Sequence, residues 1–309
     1  MRRVVPLLLV LLTLTSLLAG CGSKESHPFV RLHELDPTLA GGAQGISPRP
    51  VLRVGLSTML SPRETLLRYG PLLDYLGRKL GRHVEVVLPR SHTEMVDLIR
   101  SGQVQVGFVS SYAYVVGQKE FGMEAVAVPV YEGKPSHRSL IIVRRYSGLE
   151  RFADLKGHTF AYTDPLSASG RLFPEALVLG LGEAVDRFFD KTIFTSSDDK
   201  AIKALDQGLV DGAAVDSVMF DLAVLHDPDL ARRIRVIEMS DPYGAPPLVV
   251  SPRLGYELKR QLREALVEMS DDEQGSAVLA GLYLDGFVVP EPAWFEPVTE
   301  LAERVGVRR

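Results

Sequence analysis

Cysteine is nearly absent: Cys21 is the only one in 309 residues. Without a second thiol the chain cannot close an intramolecular disulfide, so its stability must come from an ordinary core even in an oxidising compartment. An excess of positive charge is lacking too. Lys and Arg number 35 against 39 Asp and Glu, the net charge is −4, and no basic cluster is interleaved with aromatics. That balance excludes the electrostatic footprint of a nucleic-acid binder, so no nucleic-acid partner is expected. Any anion site must be local, made from dipoles and hydrogen bonds. The apolar run Val4–Leu18 falls short of the roughly 20 residues that cross a bilayer as a helix. Chemical motifs are missing as well: no H-E-x-x-H, no Cys/His zinc spacing, no EF-hand loop, no G-x-S-x-G elbow, no Walker loop and no G-x-G-x-x-G behind a strand. Neither a metal nor a cofactor is therefore expected. A Ser/His/Asp triad is assembled in space and is not legible at this level.

What is present begins with MRRVVPLLLVLLTLTSLLAGCGS. Arg2 and Arg3, a short apolar core and the Leu18-Ala19-Gly20-Cys21 end are the parts of a secretory signal. LAGC resembles the lipobox of bacterial lipoproteins. That resemblance implies cleavage of residues 1–20, palmitate-type lipidation of Cys21, and a membrane-anchored protein of the cell envelope facing the periplasm or the exterior. A plain signal peptide with an incidental cysteine is the alternative. Residues 21–50 are polar and rich in Gly, Pro and Ser, the composition of a flexible tether.

From Val51 onward strands alternate with helices through small polar turns. VLRVGLS leads into the capping box Ser61-Pro62-Arg63-Glu64, VEVVLPR into the box Ser91-His92-Thr93-Glu94, and VQVGFV into Ser110-Ser111-Tyr112. This alternation predicts a parallel α/β architecture whose helix N-termini gather at the carboxyl ends of the strands, where ligands bind. The pattern restarts at HTFAYTD and runs to RIRVIEMS. A second α/β unit inserted between a crossing at SLIIVRR and a return at PLVVSP predicts two lobes with two hinge strands. Lobe 1 comprises residues 51–143 plus 248–309, and lobe 2 residues 144–247.

The strongest candidate site is TDPLSASGRL. Ser167 and Ser169 supply hydroxyls, the amides from Ala168 to Arg171 are candidate free donors, and Gly170 permits close approach of an oxyanion. As a local string it reads equally as a helix cap. Pro174 should distort the start of the helix that follows. Asp198 and Asp199 open the next helix, where they suit the dipole, and Asp216 ends a strand at the same edge, placed to accept a proton from a ligand hydroxyl or to pair with an amine. His92 and His137 sit beside a strand end and the hinge. Each is a packing residue or a ligand contact.

Taken together, YGPLLDYLGRKLGRHVEVVLPRSHTEMVDLIRSGQVQVGFVSSYAYV, SHRSLIIVRRYSGLERFADLKGHTFAYTDPLSASGRLFPEALVL and SSDDKAIKALDQGLVDGAAVDS resemble the phosphate/phosphite/phosphonate-binding proteins of ABC transporters. DLKGHTFAYTDPLSASG is the sharpest part, similar to that family's D-L-K-G-K-x-F-A-F-x-D-P-x-S-T-S-G. The resemblance implies a type II periplasmic-binding-protein fold with Venus-flytrap closure, delivery of a small anion to a permease, and no enzymatic turnover. It maps Ser167, Ala168, Ser169 and Gly170 onto the anion-cradling segment and Asp199 and Asp216 onto acidic positions. Ala168 replaces a Thr, His92 and His137 (ahead of Ser139) replace tyrosines, and Asp198 replaces a His. Ser110, Ser111 and Tyr112 are expected to approach from the other lobe, and the protein is expected to be a monomer. The alternatives are a lipid-anchored sensor of the same fold that signals to a membrane partner, and an enzyme with His92 or His137 as base.

Overall fold

The computed structural model describes residues 50–56 and 62–306. The leader, Cys21, the tether and Ser61 lie outside the described residues.

Two mixed sheets organise the chain. The first has the order β13-β4-β12-β3-β1-β2. Its strands are β1 (Val51–Leu56), β2 (His83–Val87), β3 (Val106–Phe108), β4 (Glu124–Val130), β12 (Leu248–Val250) and β13 (Gly286–Val288). β1 pairs in parallel with β2 and β3, whereas β12 and β13, which arrive late in the chain, run antiparallel to their neighbours. The second sheet has the order β10-β6-β9-β7-β8. It is formed by β6 (Ser139–Arg144), β7 (Thr159–Tyr162), β8 (Lys191–Phe194), β9 (Gly212–Asp216) and β10 (Ile234–Met239). β7 is parallel to β8 and β9, and β6 is antiparallel to β9 and β10. The parallel expectation therefore holds for the strand–helix–strand units and fails for the strands beside each crossing.

Alternate residues of a strand face opposite sides, and the cores follow that rule. Ile142, Ala213 and Val215 join one apolar cluster while Ile141, Val143 and Ala214 join the other. Helices cover both faces of each sheet, which is why β6 and β9 read as continuous apolar runs rather than alternating ones.

The crossing between the sheets differs from the expectation. β6 lies wholly within the second sheet, paired on both edges. The chain crosses earlier, through β5 (Ser136–His137), which pairs antiparallel with β11 (Tyr243–Gly244) on the way back. The second sheet thus takes up the chain at Ser139, and β12 of the first sheet begins at Leu248. A two-residue strand has no periodicity to read, and a buried strand of lobe 2 looks like a buried crossing strand.

The C-terminal helix Glu296–Val305 ties the lobes a third time. Tyr114 on the lobe 1 helix Ser111–Phe121 stacks edge-on against Phe295 at 4.7 Å, and Arg304 donates to the Ala176 carbonyl of lobe 2 at 3.2 Å. The same residues fence the ribbon: a Cβ on Gly244 would meet the Phe295 ring at 2.9 Å and Trp294 at 3.1 Å. Gly244→Ala is therefore expected to lower unfolding stability by about 1–3 kcal/mol, the usual cost of overpacking. Denaturant titration checks this, and a wild-type midpoint would show that the ribbon has room to spare.

Candidate functional site

Hydroxyl and carboxylate residues head the helices that follow the strands, and the fold turns those heads toward one point. Ser91 caps the helix His92–Ser101 by accepting from the Glu94 N–H at 3.2 Å. Ser110 caps Ser111–Phe121 through the Ala113 N–H at 3.1 Å, and Asp216 caps Ser217–His226 through the Val218 N–H at 2.8 Å. Ser197 heads Asp198–Asp206 but makes no cap bond, and its buried hydroxyl has no partner. Ser167 opens the fifth such N-terminus.

That fifth one is unusual. Ala168–Leu172 forms a π-helical turn before the α-helix Phe173–Gly180, with Leu172 N–H bonded to the Ser167 carbonyl at 3.1 Å. The cause is Pro174, which has no N–H to give the Gly170 carbonyl. That carbonyl instead accepts from the Thr163 N–H at 3.3 Å. The expected distortion is thus a widened turn of the kind that recurs at functional sites. The Ala168 and Ser169 N–H groups precede the helical ladder and find no acceptor among the described residues.

His92, Ser110, Ser111, His137, Ser167, Ala168, Ser169, Asp198 and Asp216 all line one cavity. The cavity offers about 20 Å³ to the centre of a water-sized molecule, somewhat above the roughly 10–15 Å³ that one water needs. It has room for one or two water-sized groups. Among the described residues no lysine or arginine lines it, so the groups there that favour an anion are helix N-termini.

Four predicted residues do not line it. Tyr112 is buried in the lobe 1 core. Ser139 stands behind the cavity, donating to the Ser169 carbonyl at 2.6 Å. Asp199 is half-buried at the edge, with one carboxylate oxygen unpartnered. Gly170 gives its amide to Ser167 Oγ at 2.9 Å, and an added Cβ would fall 1.7 Å from Thr163 Oγ1. Its small size makes room for Thr163.

Thr163, Asp164, Ser196, Ser197 and Pro246 complete the lining. Asp164 matters most among them. One of its oxygens accepts from the His92 N–H at 3.1 Å, across the cleft, and the other from the Leu166 N–H at 2.8 Å. In the sequence it is a turn residue ahead of a proline, and nothing there signals a partner 72 residues away.

His137 sits on the ribbon and joins both lobes. Nδ1 hydrogen-bonds Asp216, Nε2 lies 3.3 Å from Ser111 Oγ, and the ring meets Tyr243 edge-on at 4.6 Å. Ser111, His137 and Asp216 have the connectivity of a catalytic triad. However, Ser111 donates its hydrogen to the Gly244 carbonyl at 2.6 Å, leaving only lone pairs toward Nε2. The serine is held as an acceptor rather than poised as a nucleophile.

Burial dominates the electrostatics. It pushes His92 below the usual imidazole range, against the opposing pull of Asp164, and keeps that ring neutral. Burial, followed by the charge of Asp216, pushes the Asp198 carboxyl up to about 8. The Tyr243 hydroxyl, beside Ser169 but outside hydrogen-bond geometry, is held well above the phenol range. Among the described residues no group of three or more His, Cys, Asp or Glu is placed to hold a metal ion.

Two α/β lobes on a crossed ribbon, with helix N-termini aimed into a small enclosed cleft, define a two-lobed receptor for a small solute. A family model described as the periplasmic substrate-binding protein of phosphonate ABC transporters matches residues 54–295, and the chain belongs to that family. It is 27% identical over 263 residues to the phosphate-import protein PhnD of Mycolicibacterium smegmatis, covering 78% of each chain. Its fold matches the binding-protein component of an ABC phosphonate transporter from Pseudomonas aeruginosa with a TM-score of 0.78 at 23% identity, over 84% of this chain and 87% of that one. It also matches PhnD1 from Prochlorococcus marinus, solved with methylphosphonate, with a TM-score of 0.75 at 17% identity, over 83% and 98%. The fold is that of the type II periplasmic binding proteins, and the relatives are substrate-binding proteins rather than enzymes. No described helix is long and apolar enough to cross a membrane.

A carboxyl whose pKa rises on folding costs nothing below its ordinary value of 3.8 and progressively more as the pH climbs toward its folded value of about 8. Asp198→Asn removes that cost. The ligand-free variant is expected to lose less stability than wild type between pH 5 and pH 8.5 in thermal melts, each kcal/mol being worth about 2–4 °C for a domain of 150–250 residues. Parallel melting profiles would contradict the burial of a charge at this position.

Proposed function

We propose that this chain is the lipid-anchored, extracytoplasmic receptor of an ABC importer and that it closes on a small phosphorus oxyanion, such as phosphate, phosphite or a small phosphonate. The observation that carries the reading is the widened turn at Ala168–Leu172. It leaves two unpartnered amides and the hydroxyls of Ser167 and Ser169 at a small cavity. Oriented N–H dipoles at helix N-termini favour an anion without a cationic side chain. Membership of the phosphonate-binding family and the likeness to a phosphate-import protein favour phosphorus over other oxyanions.

In this reading Ser167, Ala168 and Ser169 hold the anion from lobe 2, while Ser110, Ser111 and His92 approach from lobe 1. Ser139 and His137 keep both sides in place. The β5/β11 ribbon is the hinge, with residues before Ser139 and after Gly244 moving as one lobe. Closure, stabilised by ligand, is what a permease would recognise. Cys21 carries the lipid and residues 22–50 the tether.

Calorimetry at pH 7.5 with phosphate, phosphite, methylphosphonate, sulfate and acetate tests the reading. Saturable one-to-one binding of at least one phosphorus oxyanion is expected. Ser169→Asp puts a like charge beside the anion. At roughly 4 kcal/mol for unit charges 4 Å apart at an effective dielectric of 20, affinity should fall on the order of a thousandfold. Unchanged affinity in that variant would remove the cradle from this turn.

A further inference from the structure

An anion cavity lined by three aspartates and no lysine or arginine poses a charge problem that hydrogen-bond accounting resolves. Both oxygens of Asp164 are occupied, by the His92 and Leu166 N–H groups. Both oxygens of Asp216 are occupied, by the Val218 N–H and His137 Nδ1. Asp198 differs. Its Oδ1 accepts from the Asp216 N–H at 2.9 Å, while Oδ2 receives no hydrogen bond from any described residue. Asp198 is only 7% exposed and lines the cavity, which leaves Oδ2 as the carboxylate oxygen available to a ligand there.

A bare carboxylate oxygen against an oxyanion is a like-charge contact in a desolvated site, and two such groups cannot both stay ionised. With one proton between them the contact becomes a short charge-assisted O–H···O hydrogen bond, among the strong ones. We propose that Asp198 Oδ2 and the bound oxyanion share a single proton, so that Asp198 makes binding proton-coupled and favours oxyanions able to complete that bond. This rests on the anion reading of the cleft and specifies how the cleft tolerates its own carboxylates.

The groups facing Asp198 are Asp216 and Asp199 on its own side and Asp164, His92, His137 and Tyr243 from the surrounding elements. Burial already holds His92 neutral and Tyr243 protonated through the alkaline range. Burial and the Asp216 charge place the carboxyl of ligand-free Asp198 at about 8. Below that pH the proton is present before the anion arrives. Above it, an oxyanion with no hydroxyl of its own, such as the phosphite dianion, must take up one proton from solvent on binding, which weakens its affinity about tenfold per pH unit, whereas hydrogen phosphate supplies the shared proton from its own hydroxyl.

The test uses the chain with inorganic phosphate and inorganic phosphite, both predominantly dianionic from pH 8 upward. Titration calorimetry at pH 7.5, 8.5 and 9.5 is run in two buffers of different ionisation enthalpy. Wild type is expected to bind phosphite about tenfold more weakly at pH 9.5 than at 8.5, with buffer-dependent heats reporting uptake of nearly one proton at 9.5, while phosphate, which keeps a hydroxyl, shows little uptake. Asp198→Asn, its fold checked by melting, should bind with flat affinity and no uptake over the same range. If the Asn variant binds neither anion, the wild-type uptake alone decides. Phosphite binding at pH 7.5 that persists undiminished at 9.5 without uptake would overturn proton sharing and leave the anion reading standing. Failure of both anions to bind at pH 7.5 would remove the two together.

Discussion

The arrangement depends on one buried imidazole. His137 stands where the chain crosses between lobes, reaching Asp216 of lobe 2 with one nitrogen and Ser111 of lobe 1 with the other. Asp216 in turn gives its N–H to Asp198, so a hydrogen-bonded chain runs from Ser111 through His137 and Asp216 to Asp198. Such a chain in a low-dielectric setting is worth more than its separate links, and leaving any member unpaired would be costly. Position follows from backbone: β5 pairs with β11 in register His137 to Tyr243, and the Tyr243 ring walls the imidazole in.

Around that chain the lobes meet through matched polar and apolar contacts. Asp164 of lobe 2 accepts from the N-terminus of a lobe 1 helix, and Ser110 of lobe 1 donates to the Leu166 carbonyl of lobe 2. Leu166, Ala168 and Leu172, which flank the widened turn, are buried in the same cluster as Tyr112 and Met95 of lobe 1. The contact between the lobes thus hides apolar surface and satisfies a helix terminus. A ligand held by groups from both sides has greater affinity for this state than for an opened one, which is the physical requirement for closure on binding.

The strand–turn–helix rhythm was legible because it rests on local chemistry. Ser91, Ser110 and Ser167 each stand at the head of a helix, where their hydroxyls satisfy free amides, and Ser197 stands at the head of a fourth without a cap bond. Pro174 announced a distorted helix start for an equally local reason. Long-range partnerships were not legible. Asp164 reads as a turn residue, yet it closes the cleft. Gly170 reads as a ligand-facing glycine, yet its missing side chain makes space for Thr163. Asp198 reads as a complement to a helix dipole or a residue that tunes selectivity, and nothing local to it signals that the fold buries it beside Asp216. The crossing was displaced because β5 is too short to carry a pattern. Residues whose role is set by what lies within a few positions declared themselves, and those set by a partner in the opposite lobe did not.

The claim that binds these observations together is that an oxyanion sits at the widened turn, between the lobes. A crystal structure of the protein grown with phosphate or phosphite tests it most directly. The account predicts the anion within hydrogen-bond distance of the Ala168 and Ser169 amides, with Asp198 Oδ2 against one of its oxygens. An anion lodged elsewhere, or a cleft that closes with those amides still unpaired, would contradict it.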